Sequence, residues 1–168
     1  TQRPSRAPPS EPITLPSSLD REPDLQLLLK SVAAEPLIGV AERYDSLGLS
    51  RRRGNALKSL LVAEHLLEPI SLPFPGGKIV VLQLTDPSRP WPQRHKVAPV
   101  PLRASLPHAW WQQHLVTRLT EEGWHSEAEV RHGRHTFDVL ATRDGQTMVI
   151  EIDTGKSNWV ENLAALEC

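Results

Sequence analysis

The chain has 168 residues, enough for one ordinary domain or two small ones, with 39% apolar and 23% charged residues, as in a folded protein in water. No apolar run reaches the length of a membrane span, no signal-peptide core opens the chain, and the lone cysteine, Cys168, excludes an internal disulfide and a four-cysteine zinc site, so a reducing cytoplasm fits best. The formal net charge of −1 hides an uneven distribution: Arg51, Arg52, Arg53 and Lys58 lie together without an acid, and so do Arg89, Arg94, Lys96 and Arg103, a pattern that suits a polyanion partner.

Residues 1–24 have no period and are rich in proline, which predicts a disordered or loosely ordered tail. The chain starts at Thr1 without an initiator methionine, so it is expected to belong to something longer. "DLQLLLKSVAAE" (24–35) predicts a short helix with Asp24 as N-cap. Pro36 opens a second helix that stops at "SLGLS", where Gly48 can take the left-handed conformation. Ser50 caps a third, "RRRGNALKSLLVAEHLLE", whose apolar stripe is read as Ala56, Leu60, Ala63 and Leu67, widened by Leu57 and Leu61. After Pro69, "ISLPFPGGKIVVLQLT" predicts a β-hairpin turning at Pro75-Gly76-Gly77.

Two helices joined by a glycine turn, followed by a hairpin, resemble a winged helix-turn-helix over residues 25–86. The resemblance implies that the third helix meets double-stranded DNA, with Arg51, Arg52, Arg53, Lys58 and Lys78 as contacts. A physical argument points the same way. Arginines in the first turn of a helix oppose its dipole, at a cost of a few tenths of a kcal/mol each, and bound phosphates would offset that cost. The competing reading is a solvated face on a helix that docks proteins.

Residues 87–105 read as a basic, proline-rich and semi-rigid linker. From 106 the pattern changes. "PHAWWQQHLVTRLTEEGW" predicts an amphipathic helix with Trp111, Leu115 and Leu119 in its core stripe, ended by Gly123. "HSEAEVRHGRH" predicts a strand with Glu127 and Glu129 on one face. "TFDVLATRDGQTMVIEID" predicts a hairpin around Asp144-Gly145, a pair that accepts positive φ at both turn positions. Ser157 caps an expected last helix, "NWVENLAAL".

The order helix, three strands, helix, with Asp138 in "FDVL" and Glu151 in "VIEID", resembles the PD-(D/E)XK nuclease superfamily over 106–168. The resemblance implies a small α/β domain with a mixed sheet. It also implies a Mg²⁺ (or Mn²⁺) site on Asp138, Glu151 and Asp153 that cuts DNA. Two departures stand out. The motif lysine is replaced by Asp153, and Lys156 is the nearest substitute, so catalysis by Asp138, Glu151, Asp153 and Lys156, a further acid in place of the lysine, and an inert domain all stay open. A further core strand is also missing after "LAALEC", which implies that another protein, or a missing part of the same chain, completes the sheet. The string "EIDTGKS" is similar to one found in nuclease-like modules of bacterial mobile-element proteins.

Other readings are weaker. "GKS" does not end a P-loop, because the position that needs the first glycine is Ile150. His125, His132 and His135 lack zinc spacing, no serine-nucleophile elbow is present, and Trp91 and Trp110 stay open as base-stacking residues. Asp138, Glu151 and Asp153 can also be read as the solvated face of an ordinary hairpin. The expectation is an α+β chain, a winged helix plus a restriction-endonuclease-like domain, acting as a metal-dependent DNA endonuclease. The alternative is an inactive, nuclease-fold adaptor, within a larger mobile-element or ATPase-linked complex.

Overall fold

The computed structural model describes residues 22–74, 76–85, 96–133 and 135–154. Residues 1–21 of the expected tail, Trp91, Lys156, Ser157 and the expected last helix fall outside these residues, and the last part of the expected tail, from Pro23, is the first turn of a helix. The fold is α+β. Helices α1 (Pro23–Ala34), α2 (Val40–Ser46) and α3 (Arg51–Ala63) precede a hairpin of β1 (Leu67–Phe74) and β2 (Gly77–Leu84); helix α4 (Leu106–Glu121) then leads into β3 (His125–His132), β4 (His135–Arg143) and β5 (Gln146–Ile150).

The first core is built on Leu25, Leu28, Leu29 and Val32 of α1, at the spacing of one helical face, with Tyr44, Leu57, Leu61, Leu67 and Leu82 against them. α1 starts with Pro23 in its first turn and Glu22 at the N-cap position, so Asp24 lies inside the helix and is not its cap. α2 starts at Val40, later than Pro36 suggests, because Gly39 is drawn into a bridge with Val81 of the hairpin. Gly48 has φ +66°, and the Leu49 N–H reaches back to the Tyr44 carbonyl, which closes α2 as the glycine predicts. Ser50 caps α3 by accepting the Arg53 N–H at 3.2 Å.

The stripe expected on α3 is corrected. Leu57 (0% exposed) and Leu61 (1%) are core, with Gly54 one turn earlier, whereas Leu60 is 51% exposed and Ala56 and Ala63 are also at the surface. The Tyr44 ring selects this face: a Cβ on Gly54 would meet it at 2.6 Å, so α3 turns its glycine toward the ring. Helix periodicity gave two overlapping stripes, and this contact picks one.

The two halves pack on each other. Leu72 and Val81 of the hairpin bury with Leu106 and Trp110 of α4, and Phe74, Ile79 and Trp111 surround them. Phe74 lies edge-on to Trp110 at 6.1 Å and to His114 at 5.1 Å, while the His114 and Trp110 rings stack at 5.0 Å. Trp110 is therefore more buried than Trp111, against the expected stripe; the wet side of α4 is set by the hairpin as well as by the sheet behind it. Residues 96–105 also lie along the protein: Val97 is buried in the first core, and the Val100 N–H bonds the Ala33 carbonyl at 2.9 Å.

The second half stacks α4 on a sheet of order β3-β4-β5, through Leu119 against Val139 and Ala141. The described sheet is antiparallel throughout, not mixed, because each strand follows its neighbour through a tight turn. At Asp144-Gly145 both φ values are positive, 51° and 77°, as a two-residue hairpin turn requires.

Candidate carboxylate site and basic cleft

The turn at Asp144-Gly145 fixes the register of β4 on β5. Val139 pairs with Ile150, so Asp138 stands opposite Glu151 at the next rung, where β5 has ended. Like charges directly opposed across strands repel. The Asp138 carboxylate is held on both oxygens: His108 Nε2 lies 3.1 Å from Oδ1, and the Ile152 N–H donates to Oδ2 at 2.7 Å. Gln112, one turn after His108 on α4, donates to the Asp138 carbonyl at 2.9 Å. Side chains at i and i+4 of one helix thus clasp both the carboxylate and the backbone of one residue.

Burial raises the Glu151 carboxyl above the usual carboxylate range, and the charge and side-chain hydrogen bond of Asp138 add to the rise. His108 and a backbone hydrogen bond from Asp138 pull it back. The pair therefore disfavours its own full ionisation. Glu129 faces Asp138 from the other side by the β3–β4 register, but it has φ 53° and its carboxylate pairs with Arg103 at 2.8 Å. Glu127 is drawn to His125 instead, so the two acids expected to share one face of β3 have separate partners.

Of the acids singled out in the sequence, Asp138 and Glu151 come together. Asp153 is exposed beyond the strand end, and no group of three or more His, Cys, Asp and Glu among the described residues is placed to hold a metal ion. His108 and Gln112 were missed by sequence reasoning. They precede Asp138 by 30 and 26 positions on a different element; their spacing continues through Leu115 and Leu119, the side of α4 that packs on the sheet, and that is the signal that could have found them.

The cations behave differently. Arg53 folds back onto the start of α1, paired with Glu22 and, at 3.1 Å, with Asp24. Its charge joins two helices, so of the cations expected to meet DNA it is the one already paired within the chain. Arg51, Lys58 and Lys78 line one cleft of about 500 Å³ between α2, α3 and β2, and Arg52 is exposed beside it. None of these four forms an ion pair with a described residue.

Comparison with known protein families, with curated proteins and with solved structures finds no match. Among the described residues no helix is long and apolar enough to cross a membrane.

Proposed function

We propose that the protein binds double-stranded DNA through Arg51, Arg52, Lys58 and Lys78 and hydrolyses its phosphodiester bonds at the Asp138–Glu151 pair. The observation that carries this reading is the opposed pair itself. Two carboxylates set on one rung, one of them clasped by His108, Gln112 and the Ile152 N–H, are held together against their repulsion. A divalent cation relieves such repulsion. Mg²⁺ or Mn²⁺ fits the donor set, because it takes one or two carboxylates and keeps several waters, and each Asp138 oxygen has a lone pair left beyond its protein donor.

When bound, such an ion supplies charge neutralisation at the phosphoryl oxygens and an acidic water. The protein's own part is positional. His108 and Gln112 fix Asp138, the strand end presents Glu151 beside it, and the α3 cations hold the duplex. The contribution of Asp153 and Lys156 to catalysis belongs to this proposal, with Asp153 the nearer of the two to the pair along the chain.

The test is plasmid nicking in Mg²⁺ or Mn²⁺ by wild type and by Asp138→Ala. Nicking is expected from the wild type alone; equal nicking by the variant would remove the site. A second reading, a DNA-binding adaptor with an inert nuclease-like half, is favoured by the engagement of both Asp138 oxygens with protein donors. It predicts no nicking, alongside salt-sensitive duplex binding that is lost in Arg51→Ala/Arg52→Ala.

A further inference from the structure

The cleft at the α3 end is more than a strip of positive charge. A duplex backbone needs only exposed cations on a convex surface, and Arg52 already serves that purpose. Arg51, Lys58 and Lys78 instead rim a hollow of about 500 Å³, within the size range of small-molecule sites. Leu37, Val40 and Ile79 give it apolar lining, to which Trp110 from the second half adds. Two groups with ring-edge chemistry also line it. Asn55 offers an amide, with Tyr44 Oη near its Oδ1 at 3.4 Å, and Glu42 offers a carboxylate.

A ligand that answers all three features has a phosphate for the cations, a flat ring for the apolar lining, and ring-edge donors and acceptors for Asn55 and Glu42. That is a nucleotide. A fully paired duplex keeps its rings stacked and out of reach, so only an unpaired one can enter. We propose that this cleft holds a single unpaired nucleotide of a DNA strand, at a bulge, a mismatch or a frayed end. The proposal rests on the DNA-binding reading and sharpens it, because it makes a local distortion the preferred target. Extruding a base costs least where pairing is already lost, and that difference is the source of the preference.

The experiment compares three probes on the full chain by fluorescence anisotropy and 2-aminopurine emission. They are a paired duplex, the same duplex with one bulged 2-aminopurine, and a free nucleoside monophosphate. The bulged duplex is expected to bind about tenfold tighter than the paired one, with a change in 2-aminopurine emission on binding. Ala41→Trp, which adds bulk at an exposed position lining the cleft, is expected to abolish that preference and leave paired-duplex affinity unchanged. Lys78→Ala, also at an exposed position, serves as the second variant and is expected to reduce the preference.

Equal affinity for bulged and paired duplex in the wild type overturns the proposal while the DNA-binding reading stands, as does a preference that survives both variants. If neither duplex binds, the DNA-binding reading fails, and the monophosphate decides the cleft. Saturable binding that Ala41→Trp removes keeps it as a nucleotide site, and no binding ends it.

Discussion

Each half of the molecule takes charge out of water, and the two do it in opposite ways. In the first half Arg43 is fully buried. Its guanidinium donates to Ser31 Oγ at 2.7 Å and to the Glu35 and Ile38 carbonyls at 2.6 and 3.1 Å, so backbone oxygens at the end of α1 and in the turn after it absorb the charge. Burial lowers its pKa, and Glu35 and Glu42 oppose that fall. In the second half, Asp138 and Glu151 put like charges face to face. A charge whose two terminal nitrogens meet carbonyl and hydroxyl oxygens is structural, even with its Nε left without a partner among the described residues: it pins a turn. A like-charged pair gains nothing for the fold by itself, and burial together with the Asp138 charge raises the Glu151 carboxyl in response.

The comparison breaks most sharply at Arg43. Arg43→Met leaves a carbonyl cluster without its donor and is expected to cost about 3 kcal/mol, read by denaturant unfolding, with the Asp138–Glu151 pair undisturbed. A much smaller loss would mean that water replaces the guanidinium, and that its charge is not structural.

The next effect tests whether the halves are one unit. Phe74→Ala removes the ring that the hairpin sets among Trp110, Trp111 and His114 and is expected to cost about 2 kcal/mol, with Phe74→Leu costing less. α4 carries both this aromatic dock and the His108–Gln112 clasp on Asp138. Loosening the dock is therefore expected to speed hydrogen exchange at the Ile152 amide, which Asp138 accepts. Unchanged exchange in a destabilised variant would separate the two ends of the helix.

The smallest effect is a dependence on pH, carried by the acid pair. The Glu151 pKa is raised in the folded state above its ordinary 4.5, so the stability linked to its proton is present below that value and is lost as pH rises through the folded one. Glu151→Gln cannot ionise. Its melting temperature is expected to match the wild type near pH 4 and to exceed it at pH 8. Millimolar Mg²⁺ is expected to raise the melting temperature of the wild type more than that of the variant. A constant difference across pH would show that neither burial nor Asp138 raises the Glu151 carboxyl.

Much of this site was legible along the chain because hairpins carry their own arithmetic. A two-residue turn at Asp144-Gly145 pairs Arg143 with Gln146 and, five rungs on, aligns Asp138 with Glu151. Period-two alternation then puts both side chains on one face. The glycine at 48 and the serine at 50 marked the helix boundaries for similar local reasons: a left-handed φ and an unpaired N–H are needs of a few neighbouring residues. The choice between the Ala56–Leu60 and Leu57–Leu61 stripes was not local. It depended on where the Tyr44 ring lay.

The sequence by itself determined the order of elements, the hairpin register and hence the meeting of Asp138 with Glu151, because each of these is settled by conformational preferences within a few residues. Only the tertiary structure decided that Arg53 serves α1, that Arg43 is buried, that His108 and Gln112 reach Asp138, and that the hairpin rests on α4. Those outcomes depend on the phase and packing of helices far apart in the chain, where competing arrangements differ by the fit of a single ring or the placing of a single charge.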